Sequence, residues 1–182
     1  MPERMIAELC SATLKGVKCA NLFNCAYNTK EQLSSEILEM NQKLSSKGIH
    51  MMILSYPCKG RALIYIFRPV LLQQQFNDNG TKSLMHKLGY CDLRIGSCLN
   101  ALRYKLQNDT EFPHEIGCFL GYPCEDVIGF MNHETCSYYG MWKVYGNVDK
   151  AKKTFALYDA CTKLCLDQMD AGMHLEEIAA SL

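Results

Sequence analysis

The sequence predicts an α+β fold in a single domain spanning residues 1–182, a small, largely antiparallel sheet of three or four strands covered by six or seven helices. Three observations predict it. Two apolar runs, IHMMILSY (49–56) and RALIYIFR (61–68), flank a Pro/Gly turn, which is the pattern of a β-hairpin. Apolar residues recur at helical spacing behind two capping residues, Thr29 and Asn147. Prolines and glycines divide the rest into short segments of helical length.

The elements follow in chain order. Residues 5–14 predict a short helix ended near Gly16, and KCANLFNC (18–25) a short strand or an apolar loop. Thr29 with Gln32 reads as a capping box, behind which Leu33, Ile37, Met40 and Leu44 form one stripe that stops at Lys47-Gly48. Both hairpin strands are apolar on both faces, which predicts a place in the middle of a covered sheet. Pro69 opens a helix through Phe76, NDNG (77–80) reads as a turn, and TKSLMHKLG (81–89) and LRIGSCLNALRYKLQN (93–108) read as helices. In FPHEIGCFLGYPCEDVIGF (112–130), Pro113 and Pro123 mark two helix starts and Gly121 a left-handed end between them. YYGMWKVY (138–145) reads as a strand. Asn147 caps a long last helix with Val148, Ala151, Phe155, Tyr158, Thr162, Cys165 and Met169 on one stripe.

Composition excludes several classes. Lys+Arg and Asp+Glu both number 19, so there is no overall electrostatic case for a nucleic-acid partner or an anionic membrane surface. No apolar run approaches the ~18 residues of a membrane helix, and MPERMIAELC lacks a signal peptide's apolar region, so the expected location is the cytoplasm. Eleven cysteines in a chain without export features read as buried, reduced thiols rather than a disulfide framework. The absence of CxxC argues against a zinc ribbon, a ferredoxin-type cluster or a thioredoxin-like site. GxGxxG, GxxxxGK[ST] and GxSxG are also missing.

The remaining constellations are partial. His114-Glu115 is half of a zinc-protease motif, but the position of the second histidine is Cys118. At a helix start, exposed amides disfavour a positive charge, leaving His114 available as ligand or base, or else the pair simply caps the helix. Cys124 also falls in a first turn, where a thiol can be activated, yet the acids that follow it oppose this and favour an apolar filler. Cys161 and Cys165, four apart, can supply two metal ligands or two core side chains. His133 and Cys136 form the other compact pair. Lys18, Arg68 and Lys143 near strand ends can line an anion pocket or make surface ion pairs.

Three segments carry a wider likeness: LCSATLKGVKCANLF (9–23), FPHEIGCFLGYPCEDVIGF (112–130) and GMWKVYGNVDKAKKTFALYDAC (140–161). Together they resemble a family of small bacterial proteins, domain of unknown function 3793, over nearly the whole chain. The family pattern resembles HEIGxFLGYPxEDVxGF with leucine common where this chain has Cys118 and Cys124, which implies that those thiols stand in for apolar side chains. It implies a polar set of Cys10, Lys18, Arg68, His114, Glu115, Tyr122, Asp126, Trp142, Lys143, Tyr145 and Cys161. It also implies a setting in the iron or redox physiology of anaerobic bacteria, without implying a reaction.

Three functions are therefore expected in descending order. The first is an accessory protein that binds a metal (iron, or another soft metal), a haem-like cofactor or another small ligand, with Cys10, His114, Cys136 and Cys161 as candidate metal ligands. The second is a protein-interaction module for a flavodoxin-like or other redox partner. The third is an enzyme with His114 as base, Cys10 or Cys161 as nucleophile, and Lys18 or Lys143 holding an anionic substrate. The geometric question is whether Cys10, His114 and Cys161 converge.

Overall fold

Successive residues of a strand point to opposite faces, so a strand apolar at every position needs cover on both sides. In the computed structural model, which describes residues 2–109 and 111–180, RALIYIFR answers that requirement as the centre of a three-stranded antiparallel sheet. The strands are β1 (Ala20–Ala26), β2 (His50–Cys58) and β3 (Arg61–Phe67), in the order β1–β3–β2. Ala62, Ile64 and Ile66 enter one apolar core, and Leu63, Tyr65 and Phe67 enter another on the opposite face. β2 lies at the edge and is irregular beyond Ile53, so of the two hairpin strands only β3 has the expected central place.

The first core is closed by helices α1 (Glu3–Leu9), α2 (Ser11–Leu14) and α3 (Lys30–Leu44), with the far end of the molecule's last two helices. The α3 stripe is buried as its spacing predicts, at Leu33, Ile37, Met40 and Leu44, and the Thr29 side chain accepts a hydrogen bond from the Gln32 amide. The second core is closed by α4 (Pro69–Asn77), α5 (Asn79–Lys87), α6 (Ile95–Asn108), α7 (Ile116–Phe119) and α8 (Cys124–Met131). NDNG is not a free turn: Asp78 accepts from the Thr81 amide and caps α5, so Asn79 and Gly80 already belong to a helix. A side-chain acceptor at the cap position outweighs the poor helix propensity of Asn-Gly.

YYGMWKVY is not one strand but a separate small hairpin, β4 (Tyr138–Tyr139) with β5 (Lys143–Val144). It sits over α9 (Val148–Asp170), where Val144, Ala151 and Phe155 form a third, minor apolar cluster. Asn147 caps α9 by accepting from the Lys150 amide, and α10 (Leu175–Ile178) returns the chain to the first core. The four-residue helices α2, α7 and α10 raise the number of α-helices among the described residues to ten, within the α+β class the sequence predicts.

Candidate ligand-binding cleft

The site is built on the corner made by FPHEIGCFLGYPCEDVIGF. α7 is a single turn; Gly121, at φ 75°, takes the left-handed conformation that ends it, and Pro123, which cannot extend a helix, precedes α8. The β4–β5 hairpin is pressed onto this corner. Gly129 of α8 permits the approach, since a Cβ there would lie 2.4 Å from Cγ of Tyr145.

Asp126 fastens the two parts together. Its buried carboxylate accepts from the Trp142 indole N–H (2.8 Å) and from the backbone N–H groups of Tyr145 (2.7 Å) and Gly146 (2.8 Å). A carboxylate with three donors is a strong structural clamp. Trp142 then stacks on Tyr122, ring centroids 4.7 Å apart, and meets Phe155 edge-on at 4.5 Å.

Between corner and hairpin lies a cavity of about 480 Å³. Its walls are Phe112, Ile116, Leu120, Tyr122, Val127, Phe130, Tyr139 and Trp142, and its polar groups are His114, Asp126 and Lys143. The size and the apolar walls with few polar groups are those of small-molecule sites. Asp126 is already satisfied. His114 is not: its ring lies against Phe130 at 5.0 Å, and Nδ1 is buried with no hydrogen-bond partner. Lys143 places its ammonium 5.4 Å from the Phe130 ring centroid.

The neighbouring glutamate does something else. Glu115 is buried away from the cleft opening, where its carboxylate accepts from the Tyr90 hydroxyl (3.1 Å) and pairs with Lys105. Burial and this carboxylate push the Tyr90 phenol well above its ordinary pKa. His114-Glu115 does not cap a long helix either, since neither side chain bonds an amide of the one-turn α7.

Arg68, expected as an anion ligand, is wholly buried and spent on the backbone. Nε donates to Thr13 O (2.6 Å), Nη1 to Lys47 O (2.7 Å), and Nη2 to Leu14 O and Ala180 O (2.7 Å each). It ties the end of α2, the turn before β2 and the C-terminal segment to the start of α4. Four of its five N–H groups are on carbonyls and none of it is exposed, so the guanidinium is not presented to a ligand.

The thiols do not join the cleft. Cys10 is buried at the α1–α2 junction in the first core with Cys165, and Cys161 is buried on the same helix as Cys165. Burial pushes the Cys10 thiol well up and raises Cys161 and Cys165, which keeps them protonated near neutrality and opposes a nucleophilic role. Cys118 is buried in the second core, its thiol pushed by burial up to about 12, and half-buried Cys124 packs at that core's edge. Cys136 is half-buried in the segment between α8 and β4, three residues after exposed His133. Among the described residues, no three of His, Cys, Asp and Glu are grouped so as to hold a metal ion, so Cys10, His114, Cys136 and Cys161 do not converge on one centre.

Of the expected polar set, His114, Tyr122, Asp126, Trp142 and Lys143 come together at the cleft, with Tyr145 behind Asp126. Sequence reasoning missed the cleft's aromatic rim: Phe112 is 52% exposed, Phe130 38% and Tyr139 72%. A local signal existed, since Phe112 and Phe130 bound the corner motif, but an aromatic residue in a helical stripe reads as core until its face is known.

An α+β protein with an aromatic-walled cleft at a helix-turn-helix corner is the class these features define. The chain belongs to the family described as protein of unknown function (DUF3793), whose model matches residues 6–179. No curated protein and no solved structure matches the chain. None of the helices among the described residues is long and apolar enough to cross a membrane.

Proposed function

We propose that this protein binds a small, flat, mostly apolar molecule in the cleft between the α7–α8 corner and the β4–β5 hairpin, and acts as a ligand-binding protein rather than a thiol enzyme. The observation that carries the reading is the buried, unpaired Nδ1 of His114 on the wall of an aromatic cavity. Buried polar atoms in folded proteins are almost always paired, so an orphan on a residue that lines a cavity marks an open hydrogen-bonding position beside it. The ligand would pair with the His114 imidazole, lie against Trp142, Tyr122 and Phe130, and direct any anionic end to Lys143. The buried, protonated thiols oppose a nucleophile at Cys10 or Cys161.

Trp142 is the single tryptophan of the chain and lines the cleft, so its fluorescence reports on this site. Flavin mononucleotide, haem and anilinonaphthalene sulfonate are suitable flat probes. The expected result is saturable quenching at one equivalent by at least one of them. His114→Phe weakens that probe about tenfold, the value of one hydrogen bond of ~1.4 kcal/mol. No saturable quenching by any probe, or equal affinity in His114→Phe and Phe130→Ala, overturns the reading.

A further inference from the structure

Behind the Tyr122–Trp142 stack, on the side away from the cleft, is a second cavity of about 300 Å³ between α1–α2, β1, the hairpin and α9. Lys18 lines it. The Lys18 ammonium lies 5.5 Å from the ring centroids of both Tyr122 and Tyr158, and it makes no hydrogen bond or ion pair with any other described residue. Taking a cation out of water without a counter-charge is costly. Two aromatic faces return only about 0.5–2 kcal/mol each.

The surroundings add amide and hydroxyl groups and one exposed carboxylate. Asn21 also lines the cavity; its Oδ1 already accepts from the Thr13 hydroxyl (2.8 Å), and its amide N–H groups make no hydrogen bond with any described residue. The Tyr122 and Tyr158 hydroxyls donate to no described residue. Ser11 and Thr162 satisfy each other at 2.7 Å. The nearby thiols of Cys10 and Cys19 are held protonated by burial, Cys19 up to about 12, so neither supplies a negative charge. Glu8, the carboxylate on the lining, is solvent-exposed. Consistently, burial draws the Lys18 pKa below its ordinary value.

We infer that this cavity is a second binding site, for a small carboxylate whose oxygens accept from Lys18, Asn21 and the tyrosine hydroxyls while its apolar body rests on Trp142 and Met141. A single cation beside aromatic walls matches a monoanion with an apolar tail better than it matches phosphate, whose second charge would stay uncompensated. The inference does not rest on the cleft reading, because the two cavities share only the Tyr122–Trp142 wall.

The test titrates the protein with acetate, butyrate, benzoate and inorganic phosphate at constant ionic strength, following Trp142 fluorescence. Saturable binding of butyrate or benzoate in the ~1 mM range is expected, with phosphate at least tenfold weaker. Lys18→Met reduces carboxylate affinity at least tenfold, and Lys163→Met, at an exposed lysine of α9, leaves it unchanged. Asn21→Asp supplies the missing charge within the fold. It is expected to raise the melting temperature and to abolish the carboxylate response, which keeps the test open if Lys18→Met folds poorly. Equal butyrate affinity in Lys18→Met or Asn21→Asp and the parent, phosphate as tight as the carboxylates, or no saturable response to any carboxylate each overturns the inference. A response to flat probes without one to carboxylates overturns this site alone.

Discussion

Arg68 and Lys18 are two cations the sequence places alike, each at the end of a strand that shares the central sheet, and the structure uses them in opposite ways. Arg68 is inaccessible and has four carbonyl acceptors; Lys18 is half-buried and has none among the described residues. The same contrast separates Glu115, paired with Tyr90 and Lys105, from its neighbour His114, whose Nδ1 is unpaired. The difference teaches a rule for this molecule. Polar groups whose valences are filled from within hold the fold together, and those left open belong to residues that line cavities.

Breaking the filled set tests the first half of that rule, and the largest effect belongs to Arg68. Arg68→Met removes four hydrogen bonds, two of them to the buried carbonyls of Thr13 and Leu14, at roughly 1 kcal/mol each, so a loss of about 4 kcal/mol is expected in urea unfolding. Arg68→Lys recovers less than half, because one ammonium cannot span four acceptors in a planar fork. Retention of parental stability in Arg68→Met breaks the comparison.

Asp126 is the next test, and it joins the filled set to the open one. Asp126→Asn turns an acceptor of three donors into a group that carries donors of its own. A loss of about 2 kcal/mol is expected, together with a red-shifted Trp142 emission as the hairpin loosens. An unchanged emission maximum would mean that stacking on Tyr122 and Phe155, rather than the carboxylate, positions the indole.

The smallest effect, counted per group and per pH unit, is the alkaline response. Cys19 and Cys118 have folded-state pKa values raised by burial to about 12, against ~8.5 in an unfolded chain. A raised thiol stays protonated when folded while the unfolded chain ionises. Its stabilising contribution is therefore complete below about pH 8.5 and declines from there toward pH 12, by roughly 1.4 kcal/mol per pH unit for each thiol. Lys18 has the opposite sign: its lowered value means stability is regained as pH rises from the folded pKa toward ~10.4. Thermal melts from pH 7 to 10 are expected to fall steeply, and more steeply in Lys18→Met, which lacks the compensating group. A flat profile contradicts the burial of the thiols.

Much of the fold was legible in local pattern. The α3 and α9 stripes, their Thr29 and Asn147 caps, Pro69 at a helix start and the Gly121 turn all follow from spacing and backbone chemistry that neighbours in the chain supply. One error concerned a local cap and the other a distant contact. NDNG is helical because Asp78 finds the Thr81 amide, and YYGMWKVY folds back on itself because Asp126 and Phe155 hold it from outside. At the site, the polar set was legible as residue types, through the likeness to the family. Its division was not, since nothing in the identities of His114 and Glu115 tells which faces the cavity.

The sequence by itself determined the α+β class, the two apolar faces of β3, the caps and the family, because these depend on periodicity and on residues a few positions apart. Only the tertiary structure decided that Arg68 is a brace, that Cys10, His114 and Cys161 do not converge, and that aromatic side chains from the corner and the hairpin enclose a cleft. The physical reason is that saturation and burial are properties of the surroundings: a side chain's chemistry is written in its formula, but whether any valence remains open depends on which partners folding brings to it.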